Sequence, residues 1–361
     1  MPSNRSHHFV PRCYLRNFAR ADGKVIRLYN ILRQTVFASA PVKSQCARNY
    51  FYGNDELEFH LGDIEGRYAE WITQGVLSPE RKLIDDIDLF CKFFTLVQYM
   101  RTEAHAARMR GTFGLMEALA EIPEDSEFSP RRLDLSDTAL ARDGIFFALE
   151  MRNQISDLKL AFLDNMTETR FVTCDDPVVQ TNRLYIQRVG QTNFGIRSAG
   201  TIFYVPLSPR VAMLLYDGDV YTLPKSDRYW VGIKRDQDVH AFNELIFLKA
   251  RENVYFLDQG DFSTDRFQAV ADRRIVHWHR GRILVPIGEE EGGRIFAEAD
   301  EPPPEGNYVI ATSQQHPRPK TWPSVLGFRR PAIVYGNGSE IGYVRKHTVP
   351  TNVAGVIKIK I

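Results

Sequence analysis

The stretch FGIRSAGTIFYVPLSPRVAMLLYD (Phe194–Asp217) decides the fold class. It is rich in β-branched and aromatic residues and is punctuated by Gly, Ser and Pro, the composition of strands joined by turns. With FVTCDDPVV (Phe171–Val179) ahead of it, it makes residues 171–216 a sheet region. The preceding chain has a different period. Leu57, Leu61, Ile64, Tyr68 and Ile72 step by three or four, so a helix is expected over 55–74, with Glu58 and Glu65 sharing another face. Pro79 breaks it. A long helix is expected over 82–110, with Phe90, Phe94 and Val97 on its inner side and Gln98, Arg101, His105 and Arg108 as a polar stripe. Another is expected over 137–154, separated from it by a polar loop at 122–137.

Outside these segments, KVIRLYN (Lys24–Asn30) and QTVFASA (Gln34–Ala40) alternate and read as a strand pair. A closing helix is expected over 236–253, followed by a strand in VYFLDQ. The fold class is therefore α+β: a helical N-terminal half with a small hairpin, a mostly antiparallel sheet region with a closing helix, and an irregular β-rich C-terminal tail. One domain is expected over 5–297. The acidic, proline-rich EADEPPPEGN (Glu298–Asn307) reads as a linker, and 308–361 as an extension with a hairpin around Asn337-Gly338.

Composition excludes little. The 361 residues carry a net charge of +1, so charge alone points to neither a nucleic-acid nor a membrane partner. The N-terminal MPSNRSHHFV has no apolar signal core, and the most apolar run, Leu89–Met100, is shorter than the roughly 20 residues a spanning helix needs. A cytoplasmic protein is expected. Cys13, Cys46, Cys91 and Cys174 form no CxxC pair, so neither a zinc knuckle nor a disulfide framework is indicated.

Familiar catalytic motifs are absent, and the chemistry must come from polar residues in apolar settings. SNRSHHFVPRCYLRNF (Ser3–Phe18) places His7 and His8 before a short helix opened by Pro11. Its Arg12, Arg16 and Arg20 recur every four residues, opposite Tyr14, Leu15 and Phe18. An imidazole there is either a satisfied core group or a base or metal ligand. Asp175 and Asp176 end an apolar strand before Pro177, as an Asx turn or as metal ligand and base. Gln98 and Arg101 interrupt the most apolar helix, and an Arg fork there suits a carboxylate or a phosphate. His277 and His279 in VHWHR are a weaker metal pair.

Several of these blocks, in order, resemble a bacterial family catalogued as domain of unknown function 4238. They are HHFVPRCYLRNFA, CARNYFYGNDELEFHLGDIE, QYMRT, FVTCDDPVV, FYVPLSPRVAMLL and FNELIFLKARENVYF, spanning about 5–257. Cys174 stands where a serine is expected. The resemblance implies no established activity. It implies one domain, and it picks out His7, His8, Tyr14, Glu65, Gln98, Arg101, Asp176 and Asn243 as family positions.

Residues of complementary chemistry drawn from distant segments suggest an active site. The expected site is one cleft, with His8, Asp176, Glu65, Arg101 and Gln98 catalytic. His7, His8, Glu65 and Asp176 are the candidate ligands of a divalent ion, Mg or Mn. Arg12, Tyr14, Arg16 and Asn243 would face substrate. The chemistry expected is phosphodiester hydrolysis by a metal-dependent nuclease, a toxin or defence effector acting on nucleic acid or nucleotide. Two alternatives stand beside it. One is a metal-free hydrolase or transferase acting on a nucleotide or small molecule; the other is a non-catalytic binding module.

Overall fold

A computed structural model describes residues 6–20, 22–53, 55–120, 134–191, 193–274, 278–290, 293–303, 307–339 and 341–361. Most of the loop expected at 122–137, and His277, lie outside them. The chain begins with β1 (Ser6–His8) and the short α1 (Arg12–Arg16). β2 (Val25–Asn30) and β3 (Thr35–Pro41) form the expected hairpin, and β4 (Ala47–Asn49) returns to pair with β1. α2 (Asp55–Arg67) widens into a π-helical stretch, Tyr68–Val76. α3 (Ile87–Met100), α4 (Glu103–Ala120) and α5 (Asp137–Met151) complete the helical half.

The sheet half holds β5 (Lys159–Asn165), β6 (Thr173–Cys174), β7 (Val179–Thr181), β8 (Ile202–Pro206) and β9 (Val211–Tyr216). β10 (Tyr221–Thr222), β11 (Trp230–Ile233), α6 (Asp236–Lys249), β12 (Asn253–Phe256) and α7 (Thr264–Ala271) follow. β13 (His279–Glu290), β14 (Gly293–Ala299), β15 (Val309–Gln314), β16 (Gly327–Phe328), β17 (Ile333–Gly336) and β18 (Ile357–Lys360) end the chain.

The main sheet has the order β11-β5-β9-β8-β7, antiparallel except for β11 beside β5. Its strands are almost wholly buried, which is why they read as continuous apolar runs rather than alternating ones. A second sheet, β3-β2-β12-β6, joins the N-terminal hairpin to the strand after α6. The fold is α+β, as expected.

Three expectations change. The single helix over 82–110 is two helices, broken at Arg101-Thr102. Thr102 Oγ1 accepts the His105 N–H at 3.1 Å and so caps α4, while the Arg101 side chain is drawn into the core. The segment 298–307 joins two strands of one sheet: β14 and β15 both pair with β13. The chain does turn back at Asn337-Gly338, with Tyr335 bridging Val344, but the ladder partner of β17 is β18.

α5 lies so close to the α3–α4 corner that a Cβ on Gly144 would stand 2.5 Å from the Met100 carbonyl and 2.9 Å from the His105 ring. Alanine is the better helix former by about 1 kcal/mol. Gly144→Ala is nevertheless expected to destabilise by about 1–3 kcal/mol, because backbone must shift to admit the methyl. Urea denaturation reads this; a stabilised variant would mean the helices separate freely.

Candidate functional site

The Gln98–Thr102 corner addresses two separate groups of side chains. The first gathers around β1. Gln98 Nε2 donates to the Phe9 carbonyl at 3.0 Å. Arg101, 1 % exposed, donates to the His8 carbonyl at 2.6 Å, to Glu65 Oε1 at 2.8 Å and to the Tyr52 hydroxyl at 3.0 Å. These bonds fix β1 on the helices and hold Glu65 beside it. Burial disfavours the Arg101 cation, but Tyr52 and Glu65 more than offset this and raise its pKa.

His8 and Glu65 line an open cleft of about 700 Å³ together with Arg12, Lys43 and Glu58. His8 is 8 % exposed, and its Nε2 lies 3.1 Å from the Lys43 carbonyl. A carbonyl only accepts, so Nε2 carries the proton and Nδ1 keeps the lone pair. Burial pushes the His8 pKa below its ordinary 6.5; the Lys43 carbonyl and Glu65 oppose this, and Arg12 and Arg101 add to it. The ring is therefore a neutral base at pH 7.

The second group is buried. Asp176 is fully enclosed and accepts from Arg108 at 2.5 Å, from Lys249 at 2.9 Å and from Thr102 at 3.1 Å. Burial alone would raise its carboxyl, but the two cations outweigh that and hold it below the usual range. Arg108 and Lys249 also lie against the rings of Tyr99 and Trp278, at 4.8–5.5 Å from the centroids. Burial, with Arg108 beside it, lowers Lys249 to about 8. The neighbouring Asp175 accepts three backbone N–H groups from Arg251, Glu252 and Asn253. The Asp175 carboxylate thus accepts backbone N–H groups, as an Asx turn would have it do, but from a segment 76–78 residues away rather than from its own turn. Burial still pushes its carboxyl up to about 6.

The structure thus brings His8, Glu65, Arg101 and Arg12 together, with Gln98 behind them, and seats Asp176 elsewhere. None of the Asp176 partners lines the His8 cleft. His7 is buried, stacks on Tyr52 with centroids 5.8 Å apart, and accepts the Tyr52 N–H at Nδ1. Tyr14 is buried, its hydroxyl donating to the Pro206 carbonyl at 2.6 Å. Asn243 bonds Val172 N–H and the Arg170 carbonyl, pinning the strand ahead of Asp175. Arg16 and Arg20 are exposed, Arg20 beyond the end of α1. His279 begins β13, with burial first and Arg108 second lowering it to about 4.

The four expected metal ligands do not converge. Among the described residues no three His, Cys, Asp or Glu side chains gather so as to hold a metal ion. Lys249, Tyr99 and Trp278 are the members of this group that the sequence alone does not point to. The available signal was a lone lysine in the apolar face of α6, too weak without its partner in view.

A family model described as a protein of unknown function (DUF4238) matches residues 6–260. No curated protein and no solved structure matches the chain. Among the described residues no helix is long and apolar enough to cross a membrane.

Proposed function

We propose, for a chain that belongs to the DUF4238 family of proteins of unknown function, that the His8 cleft hydrolyses a phosphate ester of a nucleotide or nucleic acid without a metal ion. The observation that carries this reading is the state of His8. A neutral imidazole with its proton committed to the Lys43 carbonyl lines a cleft beside a carboxylate fixed by Arg101. In this reading Nδ1 takes the proton of a water held by Glu65. The water oxygen bonds to phosphorus, the ester P–O bond breaks, and the leaving oxygen receives the proton from His8. Arg12 and Lys43, exposed on the same cleft, take the phosphate charge. The donor set favours this over the metal-dependent route, since Asp176 is committed to two cations and His7 to Tyr52.

A second reading, a non-catalytic binding module, is favoured by one observation. Gln98, Arg101, Tyr14, Asp176 and Asn243 all make buried bonds that a purely structural network would also need.

The test is turnover of RNA, single- and double-stranded DNA and nucleotides with Mg²⁺, Mn²⁺ or EDTA. Cleavage is expected to survive EDTA and to fall by about 100-fold or more in His8→Gln. Dependence on added metal would restore the metal-ion reading. An unchanged rate in folded His8→Gln would remove His8 from the chemistry, and no turnover at all would leave the binding module.

A further inference from the structure

A separate cavity of about 600 Å³ lies where α3, α4 and α5 meet β15, walled by Tyr99, His105, Gln180, Phe194, Gln314 and His316. We infer that this pocket is a binding site for a small, flat aromatic anion: one or two fused rings carrying a carboxylate, sulfate or phosphate group. The inference is independent of the His8 cleft, which shares no lining residue with it.

Three features define the ligand. The first is an unmet donor. Gln180 is 4 % exposed, yet its Nε2 has no hydrogen-bond partner among the described residues. Gln180 is a residue of the cavity wall, and a buried amide donor without a partner is a standing cost that a ligand oxygen reaching it removes.

The second is charge. Behind the Tyr99 wall, two buried cations share one carboxylate, so the Arg108–Lys249–Asp176 group by itself carries one net positive charge, with Asp175, held by backbone N–H groups, as the adjacent carboxylate. Arg108 Nη2 also lacks a partner among the described residues. The histidines in the wall do not cancel this charge and do not add to it. Burial first, and then the same two cations, keep His105 and His316 neutral, each with a pKa of about 3. The acids on the lining, Asp143 and Glu150, are exposed, where water and salt screen them.

The third is shape. Phe194 and His316 stack with centroids 4.4 Å apart, offering flat faces, and the rings of Phe146 and Phe147 line the same cavity while half exposed. The volume is within the range of small-molecule sites.

Matched probes isolate the charge. 2-Naphthoate and 2-naphthol share a ring system and differ in charge at pH 7.5; adenosine 5′-monophosphate and adenosine form a second pair. Calorimetry on the full chain at physiological salt is expected to show at least one anion binding about tenfold or more tighter than its neutral partner. Gln180→Leu is expected to weaken that anion about tenfold, and Ser313→Trp, which fills the cavity from β15, to abolish binding. Melting curves confirm that each variant is folded, and Ser313→Trp serves alone should Gln180→Leu not fold. Equal binding within both pairs, binding that survives Ser313→Trp, or no binding of any probe would overturn the inference.

Discussion

Asp176→Ala is expected to cost about 3–5 kcal/mol, a large share of the 5–15 kcal/mol that holds a typical domain together. The carboxylate is the shared partner of Arg108 and Lys249, all three almost wholly buried. Its removal leaves two cations in a low-dielectric interior with only aromatic faces for company. Lys249, already lowered to about 8, would then lose its proton at a lower pH, so the loss should shrink as pH rises toward 8 and stay level above it. Removing the second cation as well, in Asp176→Ala/Lys249→Met, should restore part of the stability. Urea denaturation of the two variants at pH 6.5 and 9 reads all three statements. A cost below 1 kcal/mol would mean that water reaches the cations. A further consequence bears on activity assays: loss of turnover in Asp176→Ala reports loss of fold before it reports chemistry.

The second large effect is acid destabilisation by buried imidazoles. His105 and His316 are enclosed, and burial holds each near a pKa of about 3 against an ordinary 6.5. The unfolded chain takes up their protons first. Their contribution is therefore complete above pH 6.5 and is lost as pH falls toward 3, at up to about 1.4 kcal/mol per pH unit for each. His279, at about 4, acts in the same direction over a narrower window. Asp175 opposes them: its folded pKa of about 6 lies above the ordinary 3.8, so its contribution is lost as pH rises through 6. The net slope between pH 6 and 4 should thus be near two protons from these four groups. His316→Gln preserves a donor to the Phe194 carbonyl, which His316 meets at 3.0 Å, and should flatten the slope by about one proton. Identical slopes in the two proteins would show that His316 titrates in the ordinary range.

The fold is legible in the sequence where one physical force dominates. Strands β8 and β9 are buried on both faces, so their apolar runs between Gly, Ser and Pro were visible without the fold. Strand β5 and helix α7 escaped: LAFLDN is short, and the polar face of α7 hides the two residues that anchor it, Phe267 and Val270. The break at Arg101-Thr102 is marked by neither Gly nor Pro, the residues that interrupt a helix most strongly. It follows from where Arg101 finds its acceptors and from the cap Thr102 supplies. The candidate site divided in the same way. His8 and Arg101 were legible as basic groups in apolar blocks, Arg12 as one of an arginine stripe, and Glu65 only as a position the family resemblance singles out. Expecting Asp176 in the same cleft assumed that chemically complementary groups meet. Instead Arg108, only seven residues beyond Arg101, claimed it on another side of the corner.

The pairing of β2 with β12 has a consequence for synthesis. Asn30 and Asn253, joined by a side-chain hydrogen bond at the end of that ladder, are 223 residues apart. At ribosomal rates the β2–β3 hairpin emerges roughly 10–45 seconds before the strand that covers its inner edge. Throughout that interval β2 presents an unpaired row of N–H and C=O groups, the template on which nascent chains aggregate. Translation speed and chaperone supply, rather than the stability of the finished sheet, should therefore set the yield of folded protein.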